Sequence, residues 1–276
     1  MMNYFTLNNG ITMPVIGMGT WPLNGLKFAL LVRKAIKFGY CSFDLASAYG
    51  NEKWFGRGLK ICSKHRKECF ITSKLSNTEQ RAGNIRAALQ SSLTRLGIDY
   101  LDLYLIHWPV PKLYLDTWKQ LEVLYKEGFV RAIGVCNCHI HHLIKIIEIA
   151  DVIPAVNQIE HHPLLSQPDL VKFCKDFGIQ VEAYSPFARM HDRLIKNETL
   201  KSIAEKHNKT IPQIILRWDL QQGIVSVPKA SKTNKYKENI DIFSFSLSDE
   251  EMKLIDLLNI NFRVRYDPDN CDYSKL

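Results

Sequence analysis

The sequence predicts an α/β protein of the (β/α)8 class, a TIM barrel with an N-terminal β-hairpin and a short C-terminal tail. Three observations predict it. Eight short runs rich in β-branched and aromatic residues recur along the 276 residues. The stretches between them carry apolar residues at helical spacing. Most of the runs are continuous apolar strings rather than strict alternation, as parallel strands covered on both faces are. Eight strands joined by helical crossovers over about 250 residues suggest a closed barrel rather than an open sheet. No linker, low-complexity tract or short repeat interrupts residues 1–276, so one domain is expected across them.

The chain opens with residues 4–7 and 11–13 about Asn9-Gly10, a two-residue hairpin signal. The strand candidates are 15–19, 41–45, 69–74, 101–107, 131–137, 155–160, 180–185 and 224–229. Between them, residues 84–96 carry Ile85, Ala88, Leu89, Leu93 and Leu96 on one helical face, and Gly97 closes the helix. Similar faces occupy 29–38, 117–126, 142–150 and 170–177; residues 197–222 predict two helices parted near Lys209. Ser248 with Glu251 is a capping box that starts the last helix. Gly17-x-Gly19 follows a strand but has no third glycine, so it is a tight turn rather than a dinucleotide fingerprint.

Composition excludes several classes. Hydrophobic residues make up 46% and charged residues 23%, which is neither disordered nor fibrous. No apolar run reaches the ~20 residues that span a bilayer. The opening MMNYFTLNNG lacks the basic-then-apolar pattern of a secretory signal, so a soluble, cytoplasmic protein is expected. Thirty-six basic residues against 28 acidic give a net charge of +8. The basic residues are scattered, as on a solvated surface, so neither nucleic acid nor a membrane is expected as partner. Seven cysteines, an odd number, argue against a disulfide framework. Cys136-x-Cys138 lacks the CxxC spacing of zinc sites; on a strand both side chains would share one face as buried thiols.

Barrel chemistry sits at the carboxyl ends of the strands. Those ends carry Asp44, Lys74, His107, Asn137, Gln158, Tyr184 and Lys229, and Tyr49 follows Asp44 by five residues. A phenol, with an ordinary pKa of ~10, is a poor proton donor near neutrality. An adjacent ammonium should lower that value, so Lys74, held charged by Asp44, would turn Tyr49 into a tuned general acid. A neutral His107 would donate a hydrogen bond to a substrate oxygen. Proton delivery to oxygen without a nucleophile or metal suits carbonyl reduction, provided a nicotinamide supplies hydride to carbon. Tyr184 offers a flat face for that ring, and Asn137 and Gln158 offer partners for its carboxamide.

At these motifs the chain resembles the aldo-keto reductase superfamily over nearly its whole length. The carrying segments are FDLASAYGNE (43–52), FITSKL (70–75), LDLYLIHWP (101–109), GVCNC (134–138), VNQIEHHPLL (156–165), EAYSP (182–186) and VPKASKTNKYKENI (227–240). The resemblance implies a catalytic tetrad of Asp44, Tyr49, Lys74 and His107, the histidine indicating carbonyl rather than steroid double-bond chemistry. It implies NADPH bound without a Rossmann fold: Asn137 and Gln158 on the carboxamide, Tyr184 stacked on the nicotinamide, Ser185 and Phe187 beside the pyrophosphate. Lys229 and Ser231 would approach the adenosine phosphate, and Glu238 and Asn239 the adenine. Two positions depart from the family pattern. Cys136 replaces a serine, a weaker hydrogen-bond partner. Lys235 replaces the arginine of the 2′-phosphate site, keeping the charge but losing the planar fork, with Lys232 as a second cation. Trp21 and Trp108 match pocket-lining aromatics, and Trp54 is a third candidate. Only 17 residues follow Asn259, which implies an open mouth, as in bacterial members of glyoxal or 2,5-diketo-gluconate reductase type. The implied substrate is a small carbonyl compound and the implied state a monomer.

Two other readings compete. His139, His141 and His142 after the fifth barrel strand, with His161 and His162 after the sixth, could ligate zinc in a metal-dependent hydrolase. A non-catalytic NADPH-binding sensor would share the fold, and the intact tetrad argues against it.

Overall fold

The computed structural model describes residues 3–62, 66–230 and 232–275. β1 (Tyr4–Thr6) and β2 (Thr12–Pro14) pair antiparallel as the hairpin. β3 (Met18–Gly19), β4 (Ser42–Asp44), β5 (Phe70–Leu75), β6 (Leu103–Ile106), β7 (Ile133–Cys136), β8 (Val156–Glu160), β9 (Gln180–Tyr184) and β10 (Val225–Ser226) lie side by side in chain order, each pair parallel. The ring closes where Ile16 bridges Ser226: Gly17 N–H donates to the Ser226 carbonyl at 2.9 Å and Gly19 N–H to the Pro228 carbonyl at 3.1 Å. All eight expected barrel strands form. Gly19 lies on β3, not in a turn, and a Cβ there would overlap the Val227 carbonyl oxygen. The glycine is required by barrel closure.

Composition hides the alternation of these strands, but the packing displays it. On β5, Phe70 faces the barrel axis and Ile71 the helices; on β6, Leu103 and Leu105 point in, Tyr104 and Ile106 out. Both faces are apolar because both are covered, one by the barrel interior and one by helices. The hairpin's Leu7 and Met13 join Phe70, Ala132 and Ala155 in one buried cluster, so the hairpin plugs the amino end of the barrel. The carboxyl end is left for chemistry. The hairpin turn is one residue longer than expected: Leu7 N–H donates to the Ile11 carbonyl at 2.8 Å, and Gly10 takes a φ of 84°. A left-handed third loop residue is a standard hairpin solution that glycine permits.

The expected helices form as Gly25–Lys37, Ile85–Leu96, Tyr114–Lys126, Ile140–Ile149, Pro168–Asp176, Glu198–Lys206, Ile211–Gln221 and Asp249–Asp256. Asn84 caps one through the Ala87 amide and Gly97 ends it at φ 69°; Ser248 and Glu251 make the reciprocal box. Among the described residues four further helices have weaker sequence signals: Glu52–Lys60, Asn77–Ala82, the single turn Asp192–Ile195 and Thr233–Ile240. The first contains Gly56 and Gly58, poor helix formers. They are there because a Cβ on Gly56 would overlap the Leu96 carbonyl and one on Gly58 the Ala29 carbonyl. The helix lies in backbone contact with its neighbours on both sides.

Among the described residues no disulfide forms and no helix is long and apolar enough to cross a membrane. Cys136 and Cys138 are both buried but do not share a face. Cys136 packs with the barrel interior and Cys138 with the helix-facing core, because Asn137 between them has a φ of 58° and breaks the strand alternation.

Gly56→Ala is expected to cost about 1–3 kcal/mol by forcing two helices apart. Urea unfolding checks this; an unchanged midpoint would refute the close approach.

Candidate active site

Strand alternation places the reactive groups. Inward positions two residues apart near the strand ends are Ser42 and Asp44, Thr72 and Lys74, Gln158 and Glu160, Glu182 and Tyr184. His107 continues β6 by one residue. Tyr49 ends a short 3-10 turn, Ser47–Tyr49, that Gly50 terminates at φ 64°.

Lys74 is fully buried. Its ammonium donates to Asp44 Oδ1 at 2.5 Å, to the Leu45 carbonyl at 2.9 Å and to the Tyr49 hydroxyl at 3.5 Å. The Tyr49 and His107 rings meet edge to face with centroids 5.6 Å apart. The structure thus brings together all four residues of the expected tetrad. Burial alone would push the Lys74 ammonium down; Asp44 first, then Tyr49 and Cys136, overcome it and hold the group well above its usual range. Burial, reinforced by the charges of Lys74 and Arg265, pushes His107 down to about 3, so its imidazole is neutral.

The expected lowering of the phenol does not occur. Burial pushes Tyr49 up to about 12; Lys74 pulls it down, and Asp44 opposes Lys74. The carboxylate that keeps the ammonium charged also screens its field at the phenol. Tyr49 therefore stands loaded with its proton at every physiological pH, and Lys74 is placed to stabilise the phenolate once that proton leaves.

Gln158 Nε2 donates to Asp44 Oδ1 at 2.8 Å and to Glu182 Oε2 at 2.6 Å, leaving Oε1 with only the Cys136 thiol, at 3.8 Å, among the described residues. Asn137 is engaged within the protein: its amide donates to the His107 carbonyl at 3.0 Å and accepts from the Tyr184 hydroxyl at 2.7 Å. Ser185, at φ 51°, and Phe187 follow Tyr184 into a loop where Ala188, Arg189 and Met190 also take positive φ. Lys229 is exposed three residues beyond β10, and Lys232 stands at the amino-cap position of the Thr233–Ile240 helix without a side-chain cap bond. Lys235 pairs with Glu238 at 2.7 Å, and Glu238 also accepts from Thr210, while Asn239 is buried. Ser231 lies outside the described residues.

The tryptophans divide. Trp108 is buried, edge-on to Tyr266 and Tyr273 of the tail. Trp21 is 47% exposed. Trp54 packs against the outer, helix-facing core with the Arg57 guanidinium 4.5 Å from its ring centre. The short tail does not leave the mouth bare. Val264 and Arg265 donate their backbone N–H groups to Glu160 at 2.6 and 3.0 Å, drawing the tail across the carboxyl end of the barrel.

The histidines proposed as a metal set do not converge. His161 bonds Asp219 at 2.9 Å and stacks on Trp218, and His162 bonds Glu160 at 3.1 Å. His139, His141 and His142 instead gather around Asp267 and Asp269 of the tail, with His139 Nδ1 2.7 Å from Asp269. Sequence reasoning also missed Glu160, Glu182, Arg189 and Arg265. Inward periodicity on β8 and β9 marks the two glutamates; nothing in the tail's pattern marks Arg265.

The profile of the Aldo/keto reductase family matches residues 15–260. The chain is 50% identical over 264 residues to the glyoxal reductase of Bacillus subtilis (strain 168), covering 95% of each protein. A crystal structure of MGS-M4, an aldo-keto reductase enzyme from a Medee basin deep-sea metagenome library, superposes with a TM-score of 0.95 at 42% identity, covering 98% of this chain and 100% of that one. The Bombyx mori aldo-keto reductase in complex with NADP superposes at 0.91 and 33% identity, covering 97% and 96%.

Burial, then the nearby Asp44 charge, pushes Glu182 up to about 8 from an ordinary 4.5, against the opposing pulls of Gln158 and Lys74. A raised folded-state value means its contribution to stability is whole below about pH 4.5 and is lost as pH climbs through 8. Glu182→Gln should therefore gain stability relative to wild type between pH 5 and 8.5 in urea titrations. Parallel profiles for the two proteins would contradict a protonated Glu182.

Proposed function

The chain belongs to the aldo/keto reductase family, and from that footing we propose that it reduces small aldehydes and ketones, of dicarbonyl or keto-sugar type, to alcohols with NADPH. It is an NADP-dependent oxidoreductase, and we take it to act as a cytoplasmic monomer. The observation that carries this reading is the buried line from Asp44 through Lys74 to the Tyr49 hydroxyl, with a neutral imidazole beside it.

The residues present fit NADPH. Lys229 and Lys232 have no ion pair or hydrogen bond among the described residues, and Lys232 stands at a helix amino end, where a phosphate is favoured. Gln158 Oε1 can accept from a carboxamide, and the half-buried Tyr184 ring offers a stacking face. Lys229, Lys232 and Lys235 would hold the adenosine phosphate, and Gln158 and Tyr184 the nicotinamide end. Asn137 would support that end by fixing Tyr184.

When bound, NADPH supplies hydride to the carbonyl carbon. Tyr49 gives its hydroxyl proton to the carbonyl oxygen as charge develops there. Lys74 stabilises the phenolate left behind, and Asp44 keeps Lys74 charged and aimed. His107, neutral, donates a ring N–H to the same oxygen, which an imidazole with a pKa of about 3 does without titrating at working pH. A zinc-hydrolase reading is not favoured, since His161 and His162 are held by Asp219 and Glu160, apart from the tail cluster.

Tyr49→Phe should lower the reduction rate by about 10²–10⁴-fold, the usual worth of a general acid, while NADPH still quenches protein fluorescence with a similar dissociation constant. Turnover close to wild type would remove Tyr49 as the acid. Lys235→Ala should weaken NADPH about tenfold more than NADH, as loss of a charge-assisted bond to the 2′-phosphate does. Equal weakening in parallel titrations would place Lys235 elsewhere.

A further inference from the structure

The tail brings a charge to the mouth that the reductase mechanism does not use. With Val264 and Arg265 pinned by their backbone N–H groups to Glu160, the Arg265 guanidinium lies 5.5 Å from the Trp21 ring centre and 5.4 Å from that of Tyr266. The Arg189 guanidinium lies 5.1 Å from the same Trp21 ring. Neither guanidinium has an ion pair or hydrogen bond among the described residues. Arg66 and Arg131 pair with Asp102 and Arg95 with Glu52, whereas Arg265 and Arg189 face rings without a carboxylate, as Arg57 and Arg193 do away from the mouth. Glu160, the carboxylate beneath Arg265, already accepts the two tail amides and His162.

The Arg265 guanidinium is half-buried, where Arg189 is exposed; it has lost part of its hydration, and an anion would restore the missing hydrogen bonds. Its planar fork matches a carboxylate with two parallel hydrogen bonds. Arg265 also stands close enough to the reacting groups for His107 and Tyr184 to feel its charge.

We propose that Arg265, with Arg189 beside it, forms an anion subsite at the barrel mouth that receives a carboxylate of the substrate. The preferred substrates are then aldehydes and ketones carrying a carboxylate a few bonds from the carbonyl group. This rests on the reductase reading of the same site. A cofactor phosphate is the other anion that could meet these groups. The substrate is favoured because Arg265 comes from the tail, between Trp21 and Tyr266 and towards His107. The lysines suited to the adenosine phosphate stand elsewhere, beyond β10 and at the Thr233–Ile240 helix, and of the two arginines it is Arg189, two residues past Phe187, that lies on the pyrophosphate side, so Arg265 is the subsite's principal group.

The test compares succinic semialdehyde with butanal, equal in chain length and differing in the carboxylate, at fixed NADPH. The ratio of their kcat/KM values should exceed about ten in wild type, through KM, and shrink as salt rises. Arg265→Ala should cut that ratio about tenfold, and Arg265→Lys should recover part of it. An unchanged ratio would overturn the subsite. So would an unchanged ratio with an NADPH dissociation constant raised tenfold, which would assign the guanidinium to the cofactor. Calorimetric titration with succinate separates the subsite from the reductase reading. If wild type reduces neither aldehyde yet binds succinate, and Arg265→Ala loses that binding, the subsite stands and the reductase reading fails. Equal succinate binding by both proteins would overturn the subsite whatever the activity.

Discussion

A lysine ammonium with no exposed surface stays charged only against a carboxylate, and the Asp44–Lys74 contact at 2.5 Å supplies it. The rest of the site depends on that pair. Lys74 reaches the Tyr49 hydroxyl because its other donors are satisfied by Asp44 and the Leu45 carbonyl. Asp44 holds Gln158 in turn, and Gln158 holds Glu182. Burial, and after it the nearby Asp44 charge, keep the proton on Glu182 below about pH 8, so one anion faces one cation inside the barrel. Burial, ahead of the neighbouring charges, leaves Tyr49 a loaded phenol and His107 an uncharged donor.

The barrel makes this arrangement possible by closing its two ends differently. The hairpin fills the amino end with Leu7 and Met13, where nothing polar is needed. The carboxyl end is crossed by the tail, which Glu160 anchors through backbone amides rather than through an apolar plug. Half-buried reactive side chains under a polar strap stay within reach of a ligand while the groups beneath them are dry. That dryness strengthens the interaction between Lys74 and a developing phenolate.

Much of this was legible in the sequence. The eight strands stood out because a barrel strand covered on both faces must be apolar, and a polar residue at its end then has few reasons to be there. Asp44, Lys74, His107 and Gln158 were found that way. The Glu52–Lys60 helix was obscured because tight packing against two neighbours demands Gly56 and Gly58, which propensity counts against a helix. The direction of the Tyr49 shift could not be read either, since it turns on burial competing with a pair of opposed charges. Arg265 was invisible for another reason. It acts through a long-range anchor, Glu160, lying 105 positions away along the chain.

Tyr49, protonated up to about pH 12, delivers the proton while His107 stays neutral above about pH 3. The direct measurement is the single-turnover oxidation rate of NADPH by a saturating small aldehyde across pH 4.5 to 7, below the Glu182 transition near 8. A flat profile is expected, because neither group changes its protonation in that range. A transition centred between those limits, with its midpoint near an ordinary imidazole value, would assign the proton to His107 and remove Tyr49 as its source.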